Sequence, residues 1–140
     1  MKSNKTRRLT IASALLLASV IVVQAGLLDG TKWKVKVVPD KASAEKGAKE
    51  FTDEWTFTGD KFTSSAMQQK GFAPSKYRVE TEEAVVGELR ECEFEIEQMK
   101  ATNDVVVWTG DIRGTNTNGG LQWKAKDRGD FIYEFIGTKK

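Results

Sequence analysis

The chain has 140 residues, with 22 Lys+Arg, 20 Asp+Glu, no histidine and one cysteine, Cys92. That length makes one domain, and 39% hydrophobic with 30% charged residues is the balance of a soluble globular chain. Without histidine or a second cysteine, Ser-His-Asp and Cys-His triads, histidine metal sites, zinc ribbons and intramolecular disulfides are excluded.

At the amino terminus Lys2, Lys5, Arg7 and Arg8 precede an apolar stretch from Leu9 to Val23, and Val23-Gln24-Ala25 supplies a small residue before a cut. This is the pattern of a cleaved export signal over residues 1–25. The apolar run is shorter than the roughly 20 residues of a spanning helix, and no cysteine follows it to carry a lipid. The expectation is a mature domain, 26–140, that is periplasmic or secreted and has no membrane span after cleavage. Losing the four basic residues takes Lys+Arg from 22 to 18 against 20 Asp+Glu, so the formal charge moves from +2 to −2. The basic precursor therefore gives no argument for a nucleic-acid partner, and none is expected.

Along the mature chain, apolar residues alternate with polar ones, the mark of strands with one buried face. Thr31–Val38 puts Trp33, Val35 and Val37 opposite Lys32, Lys34 and Lys36, and Pro39-Asp40 ends it. Lys41–Glu50 reads as one or two helical turns or a solvated loop. Glu50–Thr58 places Phe51, Trp55 and Phe57 on one face, Gly59-Asp60 is a two-residue turn, and Lys61–Ala66 returns. Met67–Ser75, with Gly71, Phe72 and Pro74, is a structured loop or cap. Tyr77–Thr81 resumes the alternation, and Val85–Gly87 either extends it or starts the next strand.

Glu91–Met99 alternates most strictly, with Cys92, Phe94 and Ile96 against Glu91, Glu93, Glu95 and Glu97. Val105–Arg113 follows the turn at Thr102-Asn103-Asp104. Asn118-Gly119 is the strongest hairpin signal of the chain, leading into Leu121–Lys126 and, after Asp127–Asp130, into Phe131–Gly137. Eight strands with short connections and no crossover helix predict an all-β, antiparallel, up-and-down barrel, preferred to a sandwich because closure hides the edges.

Gly30-Thr31-Lys32-Trp33, just after the leader, resembles the glycine-and-tryptophan opening of lipocalin-like (calycin) barrels, which has one residue rather than two between Gly and Trp. Residues 28–137 also resemble small exported bacterial β-barrel proteins of unassigned activity, through Phe62-Thr63-Ser64-Ser65-Ala66, Gly71-Phe72 and Tyr77. The resemblance implies a lipocalin-like barrel in the cell envelope. It supplies no catalytic residue, and Met67 stands where such proteins would carry a cysteine.

The glutamates of 91–97 are about 6.7 Å apart along a strand, too far for neighbours to chelate one ion, and read as a solvated face that resists edge pairing. Cys92 points inward between acids that disfavour its thiolate, so it reads as core. No titratable pair is set together for acid–base work, and neither an enzyme, a metal nor a cofactor is expected. The open choice lies with the aromatics. Trp33, Phe57, Phe62, Phe72, Tyr77, Trp108, Trp123 and Tyr133 either fill the barrel, with Trp55, Phe94 and Phe135, or line a pocket for a small apolar or amphipathic ligand. The alternative is an envelope protein-binding module that uses the Met67–Tyr77 loop as an adaptable contact surface.

Overall fold

The structure is a computed structural model and describes residues 22–23, 28–81 and 91–140. The alternation of Lys32–Val37 becomes β2 (Lys32–Pro39), in which Trp33, Val35 and Val37 are buried and the three lysines exposed. The other strands are β1 (Val22–Val23), β3 (Phe51–Thr58), β4 (Lys61–Ser64), β5 (Ser75–Lys76), β6 (Arg78–Thr81), β7 (Glu91–Met99), β8 (Val105–Arg113), β9 (Asn116–Ala125) and β10 (Gly129–Lys139). All pairings are antiparallel, in the order β1-β6-β7-β8-β9-β10-β2-β3-β4-β5. The first and last long strands, β2 and β10, pair over seven residues, so the sheet curls into a nearly closed up-and-down barrel. Among the described residues no helix is long and apolar enough to cross a membrane.

Leaving aside the two-residue β1, the described residues form nine barrel strands rather than the eight expected. The difference lies at 75–81: the strand expected over Tyr77–Thr81 is β6, and Ser75–Lys76, ahead of it, forms the additional strand β5. The chain changes partner at Tyr77. Ser75–Lys76 pairs with β4 and Arg78–Glu80 with β7, while the Tyr77 N–H donates to the Asp60 carbonyl at 3.3 Å. The Tyr77 hydroxyl donates to the Gly59 carbonyl at 3.0 Å and accepts from the Leu28 N–H at 3.3 Å, tying this end of the barrel shut.

Gly59-Asp60 forms the expected two-residue turn, with Gly59 at φ +63°. Asn118-Gly119 does not turn the chain. Those residues lie inside β9, and the hairpin is made by Gly114-Thr115, with Gly114 at φ +59°. Gly119 is glycine for another reason. It sits opposite Gly110 with the Phe135 ring over both, and a Cβ on Gly119 would stand 2.1 Å from the Thr109 carbonyl oxygen. Dipeptide propensity is local, whereas the space for a ring is decided by a strand that arrives later in the chain.

Two short helices cap the same end of the barrel. In α1 (Lys41–Glu45) the Asp40 side chain accepts from the Ser43 N–H at 2.7 Å, and the Ser43 hydroxyl accepts from the Ile132 N–H at 2.7 Å, fixing the helix to β10. In α2 (Ser65–Gln69) Ser64 caps the first turn by accepting from Met67 N–H at 3.1 Å. These caps satisfy orphan N–H groups that would otherwise cost stability. The export-signal reading and the Val85–Gly87 reading fall on residues outside the described ones, apart from Val22–Val23. That pair lies on the β6 edge, against Thr81 and Glu80.

Candidate functional site

The barrel interior is filled. Trp33, Trp55, Phe57, Phe62 and Trp108 have no accessible surface, so no space as large as a water adjoins them. Trp55 sits at the centre, edge-on to Phe62, Phe94, Trp108 and Phe135 at centroid distances of 5.4, 5.8, 5.2 and 5.0 Å. Phe57 packs edge-on to Tyr77 at 4.8 Å. Of the eight aromatic residues singled out from sequence, Trp33, Phe57, Phe62, Tyr77 and Trp108 therefore serve the core. Phe72 plugs one end, buried and edge-on to Trp123 at 5.5 Å, with the Lys100 ammonium 5.5 Å above its ring. Met67 is buried as well, so the loop of 67–77 turns its large apolar groups inward.

Trp123 and Tyr133 are brought together elsewhere, at the mouth beside that plug. A cleft of about 380 Å³ opens there between the α1–β3 connection, the end of α2 and the β9–β10 turn. Its floor is Phe51, Trp123, Phe131 and Tyr133, with Phe51 edge-on to Tyr133 at 5.8 Å. Trp123 is anchored by its indole N–H, which donates to Asp104 at 3.3 Å. The same carboxylate accepts from the Lys126 N–H at 3.2 Å, the main reason its pKa lies below the ordinary value. Burial raises the Tyr133 pKa, and nearby Arg128 opposes the rise.

Phe51 and Phe131 complete this floor but were not among the aromatics singled out as ligand-binding. Phe131 shares its strand face with Tyr133, and that alternation was the signal that could have found it.

A second residue missed from sequence is Asp53. Phe51, Trp55 and Phe57 were grouped on one face without it, yet period-two alternation puts residue 53 on that face too. Asp53 is buried, accepting from the Trp55 indole N–H at 3.1 Å, the Ala66 N–H at 2.9 Å and the Ser64 hydroxyl. It ties β3 to the start of α2 and has no access to the mouth. Burial pushes its pKa above the ordinary value, against these donated hydrogen bonds, which hold it down.

The consequence is a pH dependence of definite sign. With the folded pKa above an unfolded value of about 3.9, the folded state keeps a proton that the unfolded state has lost between the two. The contribution is thus full below about pH 3.9 and lost as pH rises through the folded titration. Asp53→Asn cannot ionise. Urea unfolding should therefore show wild-type stability falling relative to the variant as pH rises from about 4; a difference that does not change with pH would contradict the assignment.

The remaining candidates are structural. Burial raises the Cys92 pKa to about 12, with Asp111, Glu91 and Glu93 adding to the rise, so its thiol stays protonated and inert. The glutamates of β7 point outward, and Glu91 pairs with Arg113 at 3.4 Å, both exposed. No protein-family model matches the chain, and neither the curated proteins nor the solved structures contain a significant match.

Proposed function

We propose that this is an exported, non-catalytic binding protein with a lipocalin-like barrel that holds a small apolar or amphipathic molecule at the barrel mouth rather than inside it. The observation that carries the reading is the contrast between a filled interior and an open, aromatic-floored cleft of about 380 Å³, a size suited to a small organic molecule. Binding would bury ligand surface against Phe51, Phe131 and Tyr133, at roughly 25 cal/mol per Å² before ordering costs. A binding role is also favoured over catalysis by the chemistry of the buried groups: Cys92 is held protonated and Asp53 is consumed by three donors. A protein-binding module remains the second reading. Its surface would be the exposed Val38, Ile132 and Ile136 on β2 and β10, since Phe72 and Met67 face inward.

The test is a titration with N-phenyl-1-naphthylamine, a neutral aromatic fluorophore. Wild type should show saturable enhancement, and Phe51→Ala, at a half-buried floor position, should weaken it about tenfold, or about 1.4 kcal/mol. No enhancement, or equal affinity in the variant, would count against the mouth.

A further inference from the structure

Four cations stand on the rim of this cleft, from three separate segments: Lys46 and Lys49 before β3, Lys70 after α2, and Arg128 in the β9–β10 turn. All four are exposed, and the one carboxylate lining the cleft, Glu50, is held by Lys36 at 3.2 Å. Lys46 donates to the Asp130 carbonyl and lies 4.8 Å from the centre of the Phe131 ring, which Arg128 also covers at 5.4 Å. Lys49, Lys70 and Arg128 make no ion pair among the described residues. The Tyr133 hydroxyl likewise has no hydrogen-bond partner among them. Positive charge gathered in a concave, partly desolvated cleft attracts an anion more strongly than the same charge spread over a convex face. By contrast, the groove of about 450 Å³ on the outer face over Gly119 and Gly120 is lined by Glu93, Asp111 and Glu134 and has the opposite sign.

Resting on the mouth reading above, we propose that the ligand is an organic anion. Its flat apolar body lies on Phe51 and Tyr133, and its carboxylate, sulfonate or phosphate group is met by Lys49, Lys70 and Arg128. The Tyr133 hydroxyl is a donor in reach of the same cleft.

A matched pair of probes tests this: 8-anilino-1-naphthalenesulfonate and its uncharged parent, N-phenyl-1-naphthylamine. The sulfonate should bind about tenfold more tightly at low salt, and the advantage should shrink as salt is added. Lys49→Gln and Lys70→Gln, at exposed positions where the fold is undisturbed, should each cut the advantage about threefold while leaving the neutral probe's affinity unchanged. Equal binding of the two probes would overturn the anion proposal and leave the mouth reading standing. A sulfonate preference that survives both substitutions would also overturn it, because the anion would then be held elsewhere. Binding by neither probe would remove the mouth reading, and this proposal with it.

Discussion

Trp55→Ala is expected to cost about 3–5 kcal/mol, the range for deleting a buried tryptophan or phenylalanine, which is much of the roughly 5–15 kcal/mol that holds a domain of this size together. Its ring is the hub of the core, edge-on to four other aromatic rings within 5.8 Å, and each such pair contributes about 0.5–1.5 kcal/mol beyond area burial. The substitution also removes one of the donors to the buried Asp53 carboxylate, compounding the cavity with a weakened polar contact. Trp55→Phe keeps most of the ring contacts and loses the indole N–H, so it should cost clearly less. Urea unfolding at fixed pH measures both. A loss below about 1 kcal/mol for the alanine variant would mean that the core does not hang on this ring.

The second large effect separates two adjacent glycines. A Cβ at position 119 would stand 2.1 Å from the Thr109 carbonyl oxygen, 2.6 Å from Gly110 Cα and 2.8 Å from Phe135 Cζ. Two of these neighbours are backbone in a hydrogen-bonded ladder and cannot step aside. Gly119→Val should therefore cost about 3 kcal/mol or more by forcing β8 and β9 apart or expelling Phe135. At position 120 the nearest atom to a Cβ is the Tyr133 carbonyl oxygen at 3.5 Å, an ordinary contact. Gly120→Ala should fall within about 0.5 kcal/mol of wild type, as surface changes usually do. Thermal unfolding of the pair decides it: similar midpoints for the two variants would contradict the glycine–ring packing.

What was legible in the sequence follows from which forces are local. Period-two alternation reflects one wet and one dry face, so the spans of β7 and β8 and the inward set Cys92, Phe94 and Ile96 could be read directly. The two-residue turn at Gly59-Asp60 could be read because its backbone demand sits in its own residues. Gly119 defeated the same logic, since its neighbours Gly110 and Phe135 come from other strands. Asp53 was hidden because a carboxylate on a buried face looks like a break in the pattern until its donors Ser64, at the end of β4, and Ala66, on α2, are in place. The strand count depended on a change of partner at Tyr77, from β4 to β7, that no pattern within 75–81 marks.

The mouth was legible only in part. Trp123 and Tyr133 were marked by their strand faces, but whether aromatics fill or line a barrel depends on interior volume, which no spacing reveals. Lys46, Lys49, Lys70 and Arg128 each look like ordinary solvated cations in their own segments. Their common site exists only once β10 has paired with both β2 and β9.

The four indole N–H groups give the most direct reading of where a ligand sits, because each is bonded in a different place. Trp33 donates to Thr31 at 3.0 Å, Trp55 to Asp53 at 3.1 Å, Trp108 to Gln98 at 3.0 Å and Trp123 to Asp104 at 3.3 Å. Titrating ¹⁵N-labelled protein with 8-anilino-1-naphthalenesulfonate should move the Trp123 indole resonance saturably and leave those of Trp33, Trp55 and Trp108 in place. Movement of Trp55 and Trp108 with Trp123 unmoved would put the ligand inside the barrel and contradict a site at the mouth.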